Sequence, residues 1–164
     1  AFLDLDGVIN KKPPEQDYVK RWEEFFMLPD VERAIKKLKD AGYLVIIITN
    51  QRGVARGLMS EDTVNEIHEN INRELARSGT SIDAFYWCKH NYDDKCDCRK
   101  PAPGLILKAV KDFDIDSKGS FFIGDTKTDA ECGKNAGIQT YIMPTNGSLF
   151  EMVDRILSHQ APLE

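Results

Sequence analysis

AFLDLDGV, residues 1–8, runs an apolar strand over 1–5 into two carboxylates, Asp4 and Asp6, and breaks at Gly7. A buried strand that ends in polar groups and a glycine presents chemistry at its carboxyl end. The same unit recurs along the chain. YLVIIIT at 43–49 is continuously apolar and rich in β-branched residues, the pattern of a parallel strand covered on both faces, and it delivers Thr49 and Asn50. IDAFYWC at 82–88, SFFIG at 120–124 and IQTYI at 138–142 read as three more strands. The segment after 82–88 reaches Arg99 and Lys100, and SFFIG ends on Gly124 and Asp125, with Asp129 a turn later.

Amphipathic helices fill the intervals. Asp30 is the expected cap of a helix marked by Val31, Ala34, Ile35, Leu38 and Ala41 and stopped by Gly42. Ser60 caps a second helix, with Glu61 and Asp62 at its positive end and Val64, Ile67, Ile71 and Leu75 on its buried side. Helices over about 103–113 and 127–136 follow, then a closing helix from about 147 and a frayed tail. Strict alternation of strand and helix implies right-handed βαβ units and a mostly parallel sheet with helices on both faces.

The chain's 164 residues suit a single domain over 1–164. A net charge of −5 argues against a general affinity for nucleic acid or anionic membrane, while a few local cations suffice for a small anion. The apolar runs are too short to span a bilayer, and no leader-like segment opens the sequence. A cytoplasmic monomer is the expectation. Cys88, Cys96 and Cys98 crowd around His90, which in that compartment reads as metal binding before a Cys88–Cys96 disulfide or plain buried thiols. Three thiolates and one imidazole are the donors of a closed structural zinc site, here a loop at 88–98. Cys132 has no ligand spacing to them and reads as packing.

DLDGV, TN, RKP and GDTKTD stand in the order of the four motifs of the haloacid dehalogenase superfamily of phosphohydrolases, and the chain resembles that family over most of its length. The resemblance implies a three-layer Rossmann-like fold. No long insertion follows the first or third strand, so no large cap domain is expected, and loops 9–22, 51–59 and 88–100 should form the rim of an open crevice. By resemblance Asp4 is the nucleophile that forms an aspartyl phosphate, and Asp6 protonates the leaving oxygen and then activates water. Mg2+ is held by Asp4, the Asp6 carbonyl and Asp125. Thr49 and Lys100 donate to the phosphoryl group, Asn50 positions backbone or substrate, and Asp129 orients the metal site or Lys100. Phosphate dianions repel a carboxylate nucleophile, which is why the chemistry needs these cations.

The cysteine loop beside RKP narrows the resemblance to phosphatases of heptose bisphosphate and of histidinol phosphate. NQRGVARG at 50–57 and KPAPGLIL at 100–107 favour the heptose branch, with Arg56 and Arg99 binding the phosphate that is not cleaved. The short metal loop and DKCDCRKP favour the histidinol branch. Leu5 and Val8 depart from both, where Arg and Thr are usual. The expected activity is removal of the 7-phosphate of D-glycero-D-manno-heptose 1,7-bisphosphate, with histidinol phosphate as the alternative substrate. A polynucleotide 3'-phosphatase and a silent zinc-stabilised sugar-phosphate-binding domain are more distant readings.

Overall fold

A computed structural model describes residues 1–160. Five strands, β1 (Phe2–Leu3), β2 (Ile46–Asn50), β3 (Ala84–Cys88), β4 (Phe121–Gly124) and β5 (Gln139–Ile142), form one sheet in the order β3-β2-β1-β4-β5. All four pairings are parallel. Helices α1 (Val31–Asp40), α2 (Glu61–Ala76), α3 (Gly104–Phe113), α4 (Lys127–Ala136) and α5 (Leu149–Gln160) alternate with them.

Side chains alternate across each strand, so the two faces need separate cores. Leu3, Ile47 and Ile123 point to one face and pack with Ile35 of α1, Ile71 of α2 and Val153 of α5. Phe2, Ile46, Ile48 and Phe122 point to the other, against Leu105 and Ile106 of α3 and Cys132 of α4. Three layers result, as the alternation implied. Leu5 and Val8, the two departures from the motif, are buried in the first of these cores. Cys132 is buried as expected and donates weakly to the Ala102 carbonyl at 3.4 Å.

The strand starts are later than the apolar runs suggest, and hydrogen bonds say why. Tyr43 N donates to Leu38 O, closing α1 rather than opening β2. The Val45 amide is taken by the Asp83 carboxylate at 2.7 Å, and the Asn72 side chain binds both backbone groups of Ile82. β1 is shortest of all, two residues where five were expected. Its ladder extends one bond further, Asp4 N to Ile123 O at 2.9 Å, before Leu5 O folds back to accept Ile9 N.

Asp30 precedes α1 but does not cap it. Its backbone is left-handed, φ 61°, and its carboxylate binds Arg33 at 2.9 Å instead of a helix amide. Ser60 does cap α2, accepting Thr63 N at 3.1 Å. A short 3-10 turn, Trp22–Glu24, lies in the 9–22 loop region and its exit and had no periodic signal in the sequence. No helix among the described residues is long and apolar enough to cross a membrane. The frayed tail expected after α5 lies outside the described residues.

Candidate active site

The carboxyl ends of β1, β2 and β4 open into a crevice of about 760 Å³ lined by Asp4, Asp6, Thr49, Asn50, Arg99, Lys100 and Asp129. Lys12, Asn91, Tyr92, Cys96, Thr126 and Thr128 complete much of its wall. Of the three loops expected at the rim, 9–22 and 88–100 supply lining residues, while 51–59 supplies none.

Lys100 lies at the centre, 5% exposed. Its ammonium has three N–H groups and three acceptors: Asp4 Oδ1 at 2.7 Å, Asp129 Oδ1 at 2.7 Å and the Ile48 carbonyl at 3.0 Å. Burial alone would lower its pKa, but the two carboxylates outweigh that and hold it well above the usual lysine range. One ammonium cannot neutralise two buried carboxylates equally. Asp129 keeps its charge: burial opposes ionisation, but Lys100 and donors from Thr126 and Asp125 hold it below the usual range. Asp4 is the one driven up, to about 7, by burial first, with Lys100 opposing and Asp129 adding repulsion.

The oxygens that remain open are specific. Asp129 has both oxygens committed, Oδ1 to Lys100 and Oδ2 to the Thr126 hydroxyl (2.7 Å) and two backbone amides. It also completes a capping box at the start of α4, so helix cap and counter-ion are one residue. Asp4 accepts on Oδ1 from Lys100 and Leu5 N, and among the described residues no donor reaches Oδ2. Asp125 accepts on Oδ2 from Lys12 Nζ (2.6 Å) and Thr145 Oγ1 (2.7 Å), while its buried Oδ1 has no partner. Asp4, Asp125 and Asp129 offer oxygens within 4.8 Å of one another. An unpartnered buried carboxylate oxygen beside a second open one suits a hard divalent cation with oxygen ligands.

Gly7 makes this approach possible. Its φ is +90°, and a Cβ there would stand 2.5 Å from Asp125 Oδ2. Asp6 follows the β1 ladder, accepts Asn10 Nδ2 at 2.9 Å, and is pushed above the usual carboxyl range by burial, with Asn10 opposing.

Thr49 is buried, and Gln51 Nε2 donates to its hydroxyl oxygen at 3.2 Å, which leaves the hydroxyl hydrogen free to point into the crevice. Asn50 works on backbone: it accepts Lys100 N at 3.0 Å and donates to Lys100 O at 3.3 Å, fixing the residue that carries the central ammonium.

Cys88, His90, Cys96 and Cys98 bring their donor atoms within 4.8 Å of one another. Cys88 Sγ lies 3.7 Å from Cys96 Sγ and 3.4 Å from His90 Nδ1, close to the edge of about 3.8 Å of a tetrahedron with metal–sulfur bonds of about 2.3 Å. Cys98 sits closer in, 2.9 Å from Cys88 and 3.1 Å from His90. Burial and the neighbouring thiols push Cys98 far above the ordinary thiol range and burial raises Cys88, while at Cys96 hydrogen bonds outweigh burial and lower it, so ionising all three together calls for a cation among them. The donor set fits zinc. The loop is tied down next to it by Gly104 N donating to Asp97 O, and a Cβ on Gly104 would meet that oxygen at 2.2 Å.

The arginines divide differently from the sequence reading. Arg99 lines the crevice, stacks over Tyr92 at 4.4 Å, and has a buried Nη1 with no partner. Arg56 is exposed, donates to Gln16 O at 3.2 Å and is absent from the crevice wall. The arginine that shares the Tyr92 ring with Arg99 is Arg52, which lies 3.9 Å from the ring centre and donates to Asn91 Oδ1 at 2.6 Å. Lys12, Gln51, Arg52 and Tyr92 were not singled out from the sequence. For Gln51 and Arg52 the adjacency to TN was the available signal; for Lys12 and Tyr92, in irregular loops, there was none.

The sequence profile described as polynucleotide kinase 3 phosphatase matches residues 1–155. The chain is 38% identical to the D-glycero-beta-D-manno-heptose-1,7-bisphosphate 7-phosphatase of Pasteurella multocida, over 89% of this chain and 81% of that protein. It is 44% identical to the enzyme of the same description from Rhodopseudomonas palustris, over 84% and 79%. It is 42% identical to the D-glycero-alpha-D-manno-heptose-1,7-bisphosphate 7-phosphatase of Mycobacterium tuberculosis, over 82% and 70%. Among solved structures, the D,D-heptose 1,7-bisphosphate phosphatase from B. bronchiseptica, complexed with magnesium and phosphate, superimposes with a TM-score of 0.88 at 32% identity, covering 96% of this chain and 97% of that one.

Proposed function

Because the chain belongs to the polynucleotide kinase 3 phosphatase family within the haloacid dehalogenase superfamily, in the group of heptose bisphosphate phosphatases, we propose that this phosphatase removes the 7-phosphate of D-glycero-D-manno-heptose 1,7-bisphosphate. The observation that carries the reaction is the grouping of Asp4, whose Oδ2 accepts no donor among the described residues and which lines the crevice with the buried Lys100, with Asp125, whose buried Oδ1 has no partner, their oxygens lying within 4.8 Å of one another.

In this reading Asp4 Oδ2 attacks phosphorus, forming the acyl phosphate as the ester oxygen departs. Asp6, which burial pushes above the usual carboxyl range, gives a proton to the leaving oxygen; it then takes one from the water that hydrolyses the acyl phosphate. Asp4, the Asp6 carbonyl and Asp125 would hold Mg2+, which when bound neutralises phosphoryl oxygens. Lys100 holds Asp4 Oδ1, leaving Oδ2 without a donor, and Thr49 donates its hydroxyl hydrogen to the phosphoryl group. Asp129 keeps Lys100 charged, and Asn50 keeps it in place.

The unpartnered Arg99 Nη1 supports a second anionic group on the substrate, which a bisphosphate has. A net charge of −5 favours a small sugar phosphate over a polynucleotide. The test compares kcat/KM with Mg2+ on both anomers of the heptose bisphosphate and on histidinol phosphate. We expect at least about a hundredfold preference for the bisphosphate, the loss of one charge-assisted phosphate contact being worth that much. Equal or faster turnover of histidinol phosphate would overturn the substrate and leave the reaction class standing.

Cys88, His90, Cys96 and Cys98 are read as a closed zinc site that leaves no position for water, so its work is to shape the 88–98 loop and aim Arg99 and Lys100. Free thiols grouped for a cation suit the reducing cytoplasm. Purified protein should contain about one zinc per chain, and stripping it should lower the melting temperature by roughly 5 °C or more as well as the rate. An unchanged melting curve in zinc-free protein would contradict this role.

A further inference from the structure

Lys12 enters the crevice from the loop after Gly7. Its backbone amide donates to Asn146 Oδ1 at 2.8 Å, and Asn146 N donates to Gly7 O at 2.8 Å, which pins the loop beside Asp125. The ammonium lies 2.6 Å from Asp125 Oδ2; its side chain is 34% exposed, whereas that of Asp125 is fully buried. The other oxygen of the same carboxylate, Oδ1, is the unpartnered one. A single carboxylate thus carries a cation on one oxygen and an open position on the other.

We propose that Lys12 is a counter-ion built into the metal site: it neutralises Asp125 while that carboxylate holds no metal, and it is released toward the anionic substrate when a divalent cation binds. The inference rests on the magnesium reading above. A cation at Oδ1 withdraws the charge that holds Lys12 and repels the ammonium, whose partly exposed side chain already lines the crevice. Metal and anion are then linked through one side chain, so each promotes the binding of the other. Lys12 acts on the metal through Asp125 and is a positioning residue in that step.

Calorimetric titration of wild type, Lys12→Met and Lys12→Arg, first with Mg2+ alone and then with inorganic phosphate in the presence of Mg2+, tests this. Lys12→Met should bind Mg2+ about tenfold more tightly in the absence of an anion and phosphate about tenfold more weakly, within the usual range of such couplings. Lys12→Arg should behave as wild type does. Equal or weaker Mg2+ binding by Lys12→Met would overturn the proposal, because a residue that merely supported Asp125 would give that result. Asp125→Asn separates the two layers. If it loses Mg2+ binding while Lys12→Met matches wild type, only the role of Lys12 falls; if it binds Mg2+ fully, the metal reading falls and the proposal with it.

Discussion

Asp4→Asn should abolish phosphate release, with kcat reduced at least about 10⁴-fold, while the melting temperature stays level or rises. The two halves of this expectation come from the same geometry. Asparagine keeps an acceptor at the Oδ1 position for Lys100 and Leu5 N, so the hydrogen bonds of the native carboxylate have a replacement. It removes a charge that burial and Asp129 already drive toward protonation, with a pKa near 7, and Lys100 remains paired with Asp129. Relief of a poorly compensated buried charge offsets the loss of one charge-assisted bond, a common trade between stability and activity at such sites. Phosphate release and a thermal melt on the same sample check both halves. Wild-type turnover in the variant would remove Asp4 as the nucleophile; a collapsed fold would make it a structural carboxylate.

Lys100→Met is expected to fail on both counts. Methionine fills the space of the stem but leaves Asp4 and Asp129, buried and facing one point, without their cation. Breaking a buried ion pair from one side costs on the order of 3–5 kcal/mol, and partial protonation of Asp4 brings the expected loss to the lower end, about 3 kcal/mol. Activity should fall by about 10³-fold in kcat/KM, because Asp4, the proposed nucleophile, loses its hold and the developing phosphoryl charge loses a fixed positive neighbour. The sign of the pH dependence separates charge from packing. Without Lys100 the folded-state pKa of both carboxylates rises, that of Asp4 further above its unfolded value and that of Asp129 from below it, so the folded protein binds more protons and the variant loses stability relative to wild type as pH rises. Urea denaturation at pH 8 and pH 5.5 should therefore show the gap to wild type narrowing at the lower pH. A gap of the same size at both would assign the loss to packing.

What the sequence disclosed and what it withheld follow from distance along the chain. Strand and helix order, the carboxyl-end residues and the cysteine loop are local patterns, and each of them recurs in the fold near its expected position. The ends of strands were misjudged because the groups that terminate them come from elsewhere: Asp83 claims the amide of Val45, and Asn72 claims both backbone groups of Ile82. The same holds in the crevice. Lys12 meets Asp125 across 113 positions, and nothing in KKPPEQ marks which of its cations will do so. Arg52 and Arg56 lie four residues apart on one loop, and only the turn between them decides that Arg52 stands against Tyr92 while Arg56 faces outward to Gln16. Asp129 was legible as a helix acid or as a partner of Lys100, and the geometry makes it both.

β1 has two residues and sits between β2 and β4, so neither neighbour alone defines where Asp4 stands. Asp4 is a keystone: one half of the sheet brings Thr49 and Lys100 to it, the other brings the Ile123 carbonyl that anchors its amide, together with Asp125. A chain cut anywhere between the two halves would leave Asp4, Thr49 and Lys100 on one fragment and Asp125 and the Ile123 carbonyl on the other. For this architecture, a working centre and a completed sheet are the same event, and the appearance of turnover on refolding marks the docking of the halves.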